Sequence, residues 1–270
     1  MTLFQSFLLG IIQGLTEFIP ISSTGHLLIA QYLMGIPASD EVFSFLVIVQ
    51  LGTLVSLLAF YWKELLAIAK AVLQFRQRTV ERDLGIYIII ATIPALIVGF
   101  LLSDLVERLF QHPMFQASIR LFTAAVVMAL AELLSRKDRK LESMAWYDAL
   151  FIGIMQILAV FPGASRSATT ISGGMYRGFD RPSAARFAFL MSVPVMLAAG
   201  GYQMLKLLEM PNTLQLLPVF AVGFVTAAIV GWFAIKWLID YLSRRSLYVF
   251  AIYCAVVGVI VLLSGLFLRG

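Results

Sequence analysis

The chain has 270 residues, 61% of them hydrophobic and only 13% charged. Its mean hydropathy is +0.93, and against the roughly 25% charge of soluble domains this excludes an ordinary soluble globule. The net charge of +5 comes without a basic, aromatic-studded face, so it points to basic loops beside membrane spans and not to nucleic acid. The single cysteine, Cys254, excludes a disulfide framework and a metal-thiolate site.

Taken in chain order, the N-terminal "MTLFQSFLLG" lacks the positive charge that opens a signal peptide, and it is expected to stay in the mature protein. The apolar stretch 3–36 is interrupted by "IPISSTG". The pieces on either side, roughly 11 to 17 residues long, are marginal spanners and suit a helical hairpin that enters and leaves on one side. Full spans are expected near 42–62, 84–103 and 115–134. A second interrupted stretch, 148–180, is broken by "FPGASRS", and spans near 184–207, 217–239 and 247–268 complete the chain. Helix is the default throughout, because strand alternation is absent and lipid demands an internally bonded backbone.

The loop charges alternate. Lys63, Lys70, Arg76, Arg78 and Arg82 fall in 63–83, and Arg136, Lys137, Arg139 and Lys140 in 135–147; Lys236, Arg244 and Arg245 flank the fifth loop. The loops at 104–114 and 208–216 are nearly neutral. Six crossings predict this alternation. It puts both termini outside, with the first hairpin entering from the outer face and the second from the cytoplasmic face.

The hairpins resemble each other. "GIIQGLTEFIPISS" (10–23) aligns with "GIMQILAVFPGAS" (153–165) across one gap, pairing Gly10 with Gly153, Gln13 with Gln156, Phe18 with Phe161, Pro20 with Pro162 and Ser23 with Ser165. A single membrane domain over 1–270 is therefore expected as an inverted repeat, 1–134 and 148–268, each a broken hairpin plus three spans. Such repeats place a site near the midplane, where the half-helices converge.

In the first turn Ser22, Ser23 and Thr24 stand where the second half-helix should begin, and Ser165 and Ser167 bracket Arg166 at the equivalent place. Two helix N-termini facing each other attract an anion. Arg166 strengthens this, because a guanidinium fork matches phosphate oxygens and a bare arginine at membrane depth is expensive. Gln13 and Glu17 share a helix face, and Glu17 stands at a C-terminus where the dipole disfavours a carboxylate. Arg166, protonated His26 or a divalent metal can compensate it, or the carboxyl can be partly protonated by desolvation. His26 follows Ser23 by three residues and shares its face, while Gly25 permits close packing. These groups suit phosphoryl transfer: Ser23 or His26 as nucleophile, Glu17 as base or metal ligand, and Arg166 stabilising the transferring group. Gln50, Gln156 and Thr170 are further polar residues within spans that can line such a site or simply bond backbone.

"QGLTEFIPISSTGH" (13–26) and "FPGASRSATTISGG" (161–174) closely resemble the two signature motifs of the undecaprenyl-pyrophosphate phosphatase, or bacitracin-resistance protein, family, and the resemblance spans essentially the whole chain. It implies a bacterial inner-membrane enzyme that removes the terminal phosphate of undecaprenyl pyrophosphate, with its active site open to the periplasm. The product is the carrier lipid for peptidoglycan. It also implies six spans plus two re-entrant hairpins. On this resemblance the acidic motif residue is Glu17, the serine nucleophile Ser23, the histidine His26 and the phosphate-binding arginine Arg166, with Thr24, Ser165 and Ser167 as supporting hydroxyls. Gln13 stands where some members carry a glutamate, which weakens any scheme needing two acidic metal ligands. A divalent cation, Mg or Ca, is implied by the resemblance alone. The substrate class is a polyprenyl pyrophosphate lipid, the competing reading is a transporter for the same lipid phosphates, and a homodimer stays open.

Overall fold

The apolar runs fold as helices. The computed structural model describes residues 1–74, 79–102, 113–160, 164–208 and 213–267. Among them eleven α-helices follow in chain order: α1 (Leu3–Phe18), α2 (Ser23–Leu33), α3 (Asp40–Phe60), α4 (Trp62–Leu73), α5 (Val80–Leu101), α6 (Pro113–Leu134), α7 (Trp146–Val160), α8 (Arg166–Tyr176), α9 (Arg181–Leu208), α10 (Thr213–Arg244) and α11 (Tyr248–Phe267). No β-sheet occurs among the described residues. By length and composition, α3, α5, α6 and α10 can cross a membrane, which makes this an all-helical, multi-pass membrane protein. Large apolar side chains are exposed at three- and four-residue spacing: Ile89, Ile93, Ile97 and Phe100 on α5, Val225, Ile229, Phe233 and Trp237 on α10, and Ile252, Val256, Ile260 and Leu263 on α11. Such stripes suit lipid contact.

Both interrupted stretches are broken where the turn residues fall. The first gives helices of 16 and 11 residues, α1 and α2, and the second helices of 15 and 11, α7 and α8. The matched positions Phe161 and Pro162 lie outside the described residues. One expectation is corrected: the 63–83 loop contains a helix, α4. Its charges Lys63, Glu64 and Lys70 had masked the spacing of Leu65, Ile68 and Val72, which pack against the core and so make the segment amphipathic.

The first arm of each hairpin packs on a long helix from the other half of the chain, α1 on α10 and α7 on α5; α6 and α11 pack together. The matched glycines sit at these contacts. A Cβ on Gly10 would lie 2.8 Å from the Gly223 carbonyl oxygen, and one on Gly153 would lie 2.4 Å from that of Ala91. Small residues let membrane helices approach this closely. Gly153→Ala should therefore destabilise the protein by about 1–3 kcal/mol in denaturant titration of detergent-solubilised protein. Gly201→Ala, where a Cβ meets nothing within 4 Å among the described residues, should be neutral.

The basic residues expected to mark cytoplasmic loops are also structural partners. Asp148, fully buried, takes a two-pronged Arg139 contact (3.2 and 2.7 Å), Arg177 Nε at 2.7 Å and the Ala145 amide at 3.0 Å. Buried Glu132 receives Arg181 at 2.6 and 2.7 Å, Lys137 at 3.2 Å and the Leu247 amide at 2.7 Å. These two carboxylates tie α6, α7, α8, α9 and α11 together at one end of the molecule.

Candidate active site

The two breaks meet. α1 ends at Phe18 and α2 starts at Ser23, capped by Ser22, whose Oγ accepts from the Gly25 amide at 3.4 Å. Ser165 caps α8 in the same way, its Oγ accepting from the Ala168 amide at 3.4 Å. Ser22 holds φ 71° and ψ 90° while almost fully buried. A non-glycine residue in that region costs on the order of 1–3 kcal/mol and persists only where its surroundings impose it.

Glu17 is the hub. It is 7% exposed. Its Oε1 accepts from Arg166 Nη2, joining the hairpins across the molecule. Its Oε2 accepts from Ser23 Oγ at 2.7 Å and from Gln13 Nε2 at 2.9 Å. The carboxylate at the C-terminal end of α1 is thus compensated by Arg166, one of the three candidates the sequence allowed. Arg166 Nη2 also lies 3.3 Å from Met196 Sδ. Ser165 Oγ and Ser167 Oγ are 3.2 Å apart, and Ser167 Oγ donates to the Ile19 carbonyl at 3.5 Å. These contacts surround a cavity of about 450 Å³. Gln13, Glu17, Ser22, Ser23, Thr24, Ser165, Arg166 and Ser167 form its polar wall, and Leu27, Leu28, Phe43, Leu46 and Val47 an apolar one.

Three site candidates lie behind this wall. Thr170 Oγ1 donates to the Arg166 carbonyl at 2.8 Å, and the Gly25 amide serves the Ser22 cap. His26 turns away from Ser23: its Nδ1 is 2.9 Å from the Ser22 carbonyl oxygen, and its Nε2 is 2.8 Å from the Tyr253 hydroxyl. A carbonyl can only accept, so Nδ1 carries the proton; in the neutral ring Nε2 then accepts from Tyr253. The imidazole thereby clamps the strained Ser22 carbonyl and ties it to α11.

Sequence reasoning missed Tyr253, Arg120 and Gln31. Arg120, 5% exposed, and Gln31, 8% exposed, both line the cavity, as do Gln50 and Gln156. A lone arginine inside the 115–134 span was the available signal for Arg120. Nothing set Tyr253 apart from other aromatics in an apolar run.

The donor set does not fit a metal ion held by protein alone. Glu17 is the one carboxylate on the wall among the described residues, and both its oxygens are engaged. No cluster of three His, Cys, Asp or Glu side chains occurs among the described residues.

Comparison with known proteins identifies the family. A family model described as Bacitracin resistance protein BacA matches residues 6–260. A protein of Rubrobacter xylanophilus named undecaprenyl-diphosphatase is 40% identical over 258 residues, 93% of this chain and 94% of that one. One of the same name from Desulforudis audaxviator is 38% identical over 267 residues, 99% of each, and one from Gemmatimonas aurantiaca 39% over 269 residues, 97% of each. With both helix breaks inside the matched region and identity sustained over nearly the whole length, the chain belongs to the bacitracin resistance protein BacA family.

Proposed function

We propose that the chain is an integral-membrane hydrolase that cleaves undecaprenyl diphosphate to undecaprenyl phosphate and inorganic phosphate. The observation that carries this reading is the Ser23–Glu17–Arg166 array: a hydroxyl donating to a carboxylate at 2.7 Å, with a guanidinium on the carboxylate's other oxygen, in a cavity that is polar on one wall and apolar on the other. The name shared by the relatives supports the substrate.

The terminal phosphate takes its place between the capped starts of α2 and α8, where free amides and Arg166 favour an anion. The incoming phosphate competes with Glu17 for Arg166. Glu17 then keeps Ser23 on Oε2, held in aim by Gln13. Ser23 Oγ attacks the terminal phosphorus as its proton passes to Glu17, the phosphoanhydride bond breaks, and the lipid monophosphate leaves with the bridging oxygen. Glu17 passes that proton to the departing lipid phosphate; the restored carboxylate takes a proton from water as it attacks the phosphoserine, and returns it to Ser23 Oγ as inorganic phosphate leaves. Phosphate oxygens would have to complete the coordination of any Mg or Ca ion, and no step here runs through one. The apolar wall accommodates the first isoprene units.

Six helices crossing the membrane and two re-entrant hairpins entering from opposite faces fit this chemistry, as does an inverted repeat over 1–134 and 148–268. The reciprocal packing of α1 on α10 and α7 on α5, with matched glycines at both contacts, supports that arrangement. The family resemblance supports a bacterial inner-membrane location with the site open to the outside, and the loop charges agree with a first hairpin that enters from the outer face.

Purified protein in detergent should release phosphate from a polyprenyl diphosphate, and Glu17→Ala should abolish the release; no release by the native chain would remove this reading. In the same assay Tyr253→Phe should lower kcat by about threefold to tenfold with KM unchanged. The lost hydrogen bond is worth about 1 kcal/mol, and it only steadies His26 and the Ser22 turn.

A further inference from the structure

The cavity holds a second guanidinium that the reaction above does not use. Arg120, in α6, is buried and lines the cavity, and its Nη1 donates to the Ala164 carbonyl at 3.4 Å. Ala164 directly precedes the Ser165 cap of α8, so Arg120 reaches the same half-helix start that carries Arg166. Among the described residues of the wall, one carboxylate, Glu17, faces two guanidinium groups. Glu17 pairs with Arg166, and Arg120 brings a second guanidinium to the same wall.

Gln156 adds an independent observation. It lines the same cavity and is 2% exposed, yet neither Nε2 nor Oε1 has a hydrogen-bond partner among the described residues. An unsatisfied buried amide is costly and calls for a ligand or an ordered water. The sequence register gives the reason. Gln156 matches Gln13, whose amide binds Glu17, but Val160 stands at the position matching Glu17. The second hairpin keeps the amide and lacks the carboxylate, so its hydrogen-bonding capacity is left for something that enters the cavity.

We propose that Arg120 and Gln156 form a second phosphate seat, which takes the lipid-proximal phosphate while Arg166, Ser23, Ser165 and Ser167 take the terminal one. The inference rests on the diphosphate reading above. Two seats explain why one anion cavity carries two arginines: the substrate has two phosphates. When the phosphoanhydride bond breaks, charge develops on the bridging oxygen of the departing monophosphate. A guanidinium beside that phosphate stabilises the charge. Arg120 and Gln156 therefore bind the phosphate that the diphosphate substrate and its monophosphate product share, and hold the lipid product after hydrolysis.

The test measures binding of three probes to the native chain, Arg120→Gln, Arg120→Lys and Gln156→Ala in detergent: a polyprenyl methylenediphosphonate, which cannot be cleaved at its bridge, a polyprenyl monophosphate, and inorganic phosphate. Loss of a charge-assisted hydrogen bond predicts at least about tenfold weaker binding of both lipids to Arg120→Gln. Inorganic phosphate should bind within twofold of native. Arg120→Lys should recover much of the loss, and Gln156→Ala, which leaves the charge in place, should weaken both lipids about threefold to tenfold. Unchanged lipid affinities in Arg120→Gln and Gln156→Ala would overturn the seat and leave Arg120 as an anchor for Ala164. Equal loss of inorganic phosphate would overturn it too, by showing a single seat. Phosphate release from the parent diphosphate separates the two claims. Release by a native chain whose lipid affinities ignore both substitutions sinks the seat alone; the predicted binding pattern without release sinks the hydrolase reading alone.

Discussion

Arg166→Met should lower kcat/KM for a polyprenyl diphosphate by roughly 10³- to 10⁵-fold, the range over which a single arginine stabilises a transferring phosphoryl group. Stability should fall as well. Glu17 is 7% exposed, and removing the partner of a buried charge typically costs about 3–5 kcal/mol; the bonds from Gln13 and Ser23 that remain place this case at the lower end. The two effects separate in a double variant. Glu17→Gln with Arg166→Met removes both charges, so unfolding measurements should recover most of the lost stability while phosphate release stays at background. Recovery of activity in the double variant would show that the ion pair is a fold element and not the phosphate clamp.

Ser23→Ala carries the second large effect. Its hydroxyl donates to Glu17 Oε2 at 2.7 Å, and as nucleophile its loss should lower kcat by at least about 10³-fold with KM within threefold. Stability should change by only about 1 kcal/mol, the worth of one hydrogen bond. Activity within tenfold of native would transfer the attack to a water molecule held by Glu17.

Much of this arrangement was legible in the sequence because it depends on local signals. Pro20 with the Ser22–Thr24 run marks the break between α1 and α2, and the six long apolar runs coincide with α3, α5, α6, α9, α10 and α11. The Glu17–Arg166 contact, between residues far apart in the chain, was within reach because each charge sits at a broken helix and the breaks resemble each other. The cost of an isolated charge in lipid then requires a partner. For Ser23 the shared helix face pointed to His26, whereas its hydroxyl meets Glu17 across the break.

What the sequence hid depends on tertiary placement. His26 shares a helix face with Ser23, and spacing alone could not show that α11 brings Tyr253 to its outer nitrogen. Arg120 looks like any arginine near the start of a span until α6 packs against α8 and carries it to the Ala164 carbonyl. The α4 helix stayed hidden because its lysines and glutamate read as a loop, although its apolar residues keep helical spacing. The roles of Lys137 and Arg139 differ for the same reason: charge bias along the chain suggested their side of the membrane, while Glu132 and Asp148 fix their geometry.

The central claim is that two broken hairpins build one site that cleaves the outer phosphate from a lipid diphosphate. It is tested most directly with a polyprenyl diphosphate labelled on its terminal phosphate, incubated with purified protein and separated by chromatography. The predicted result is label recovered entirely as inorganic phosphate, with unlabelled polyprenyl monophosphate in equal amount, and no conversion by Glu17→Ala. Label recovered as pyrophosphate with free polyprenol, or retained in intact lipid, would contradict the account.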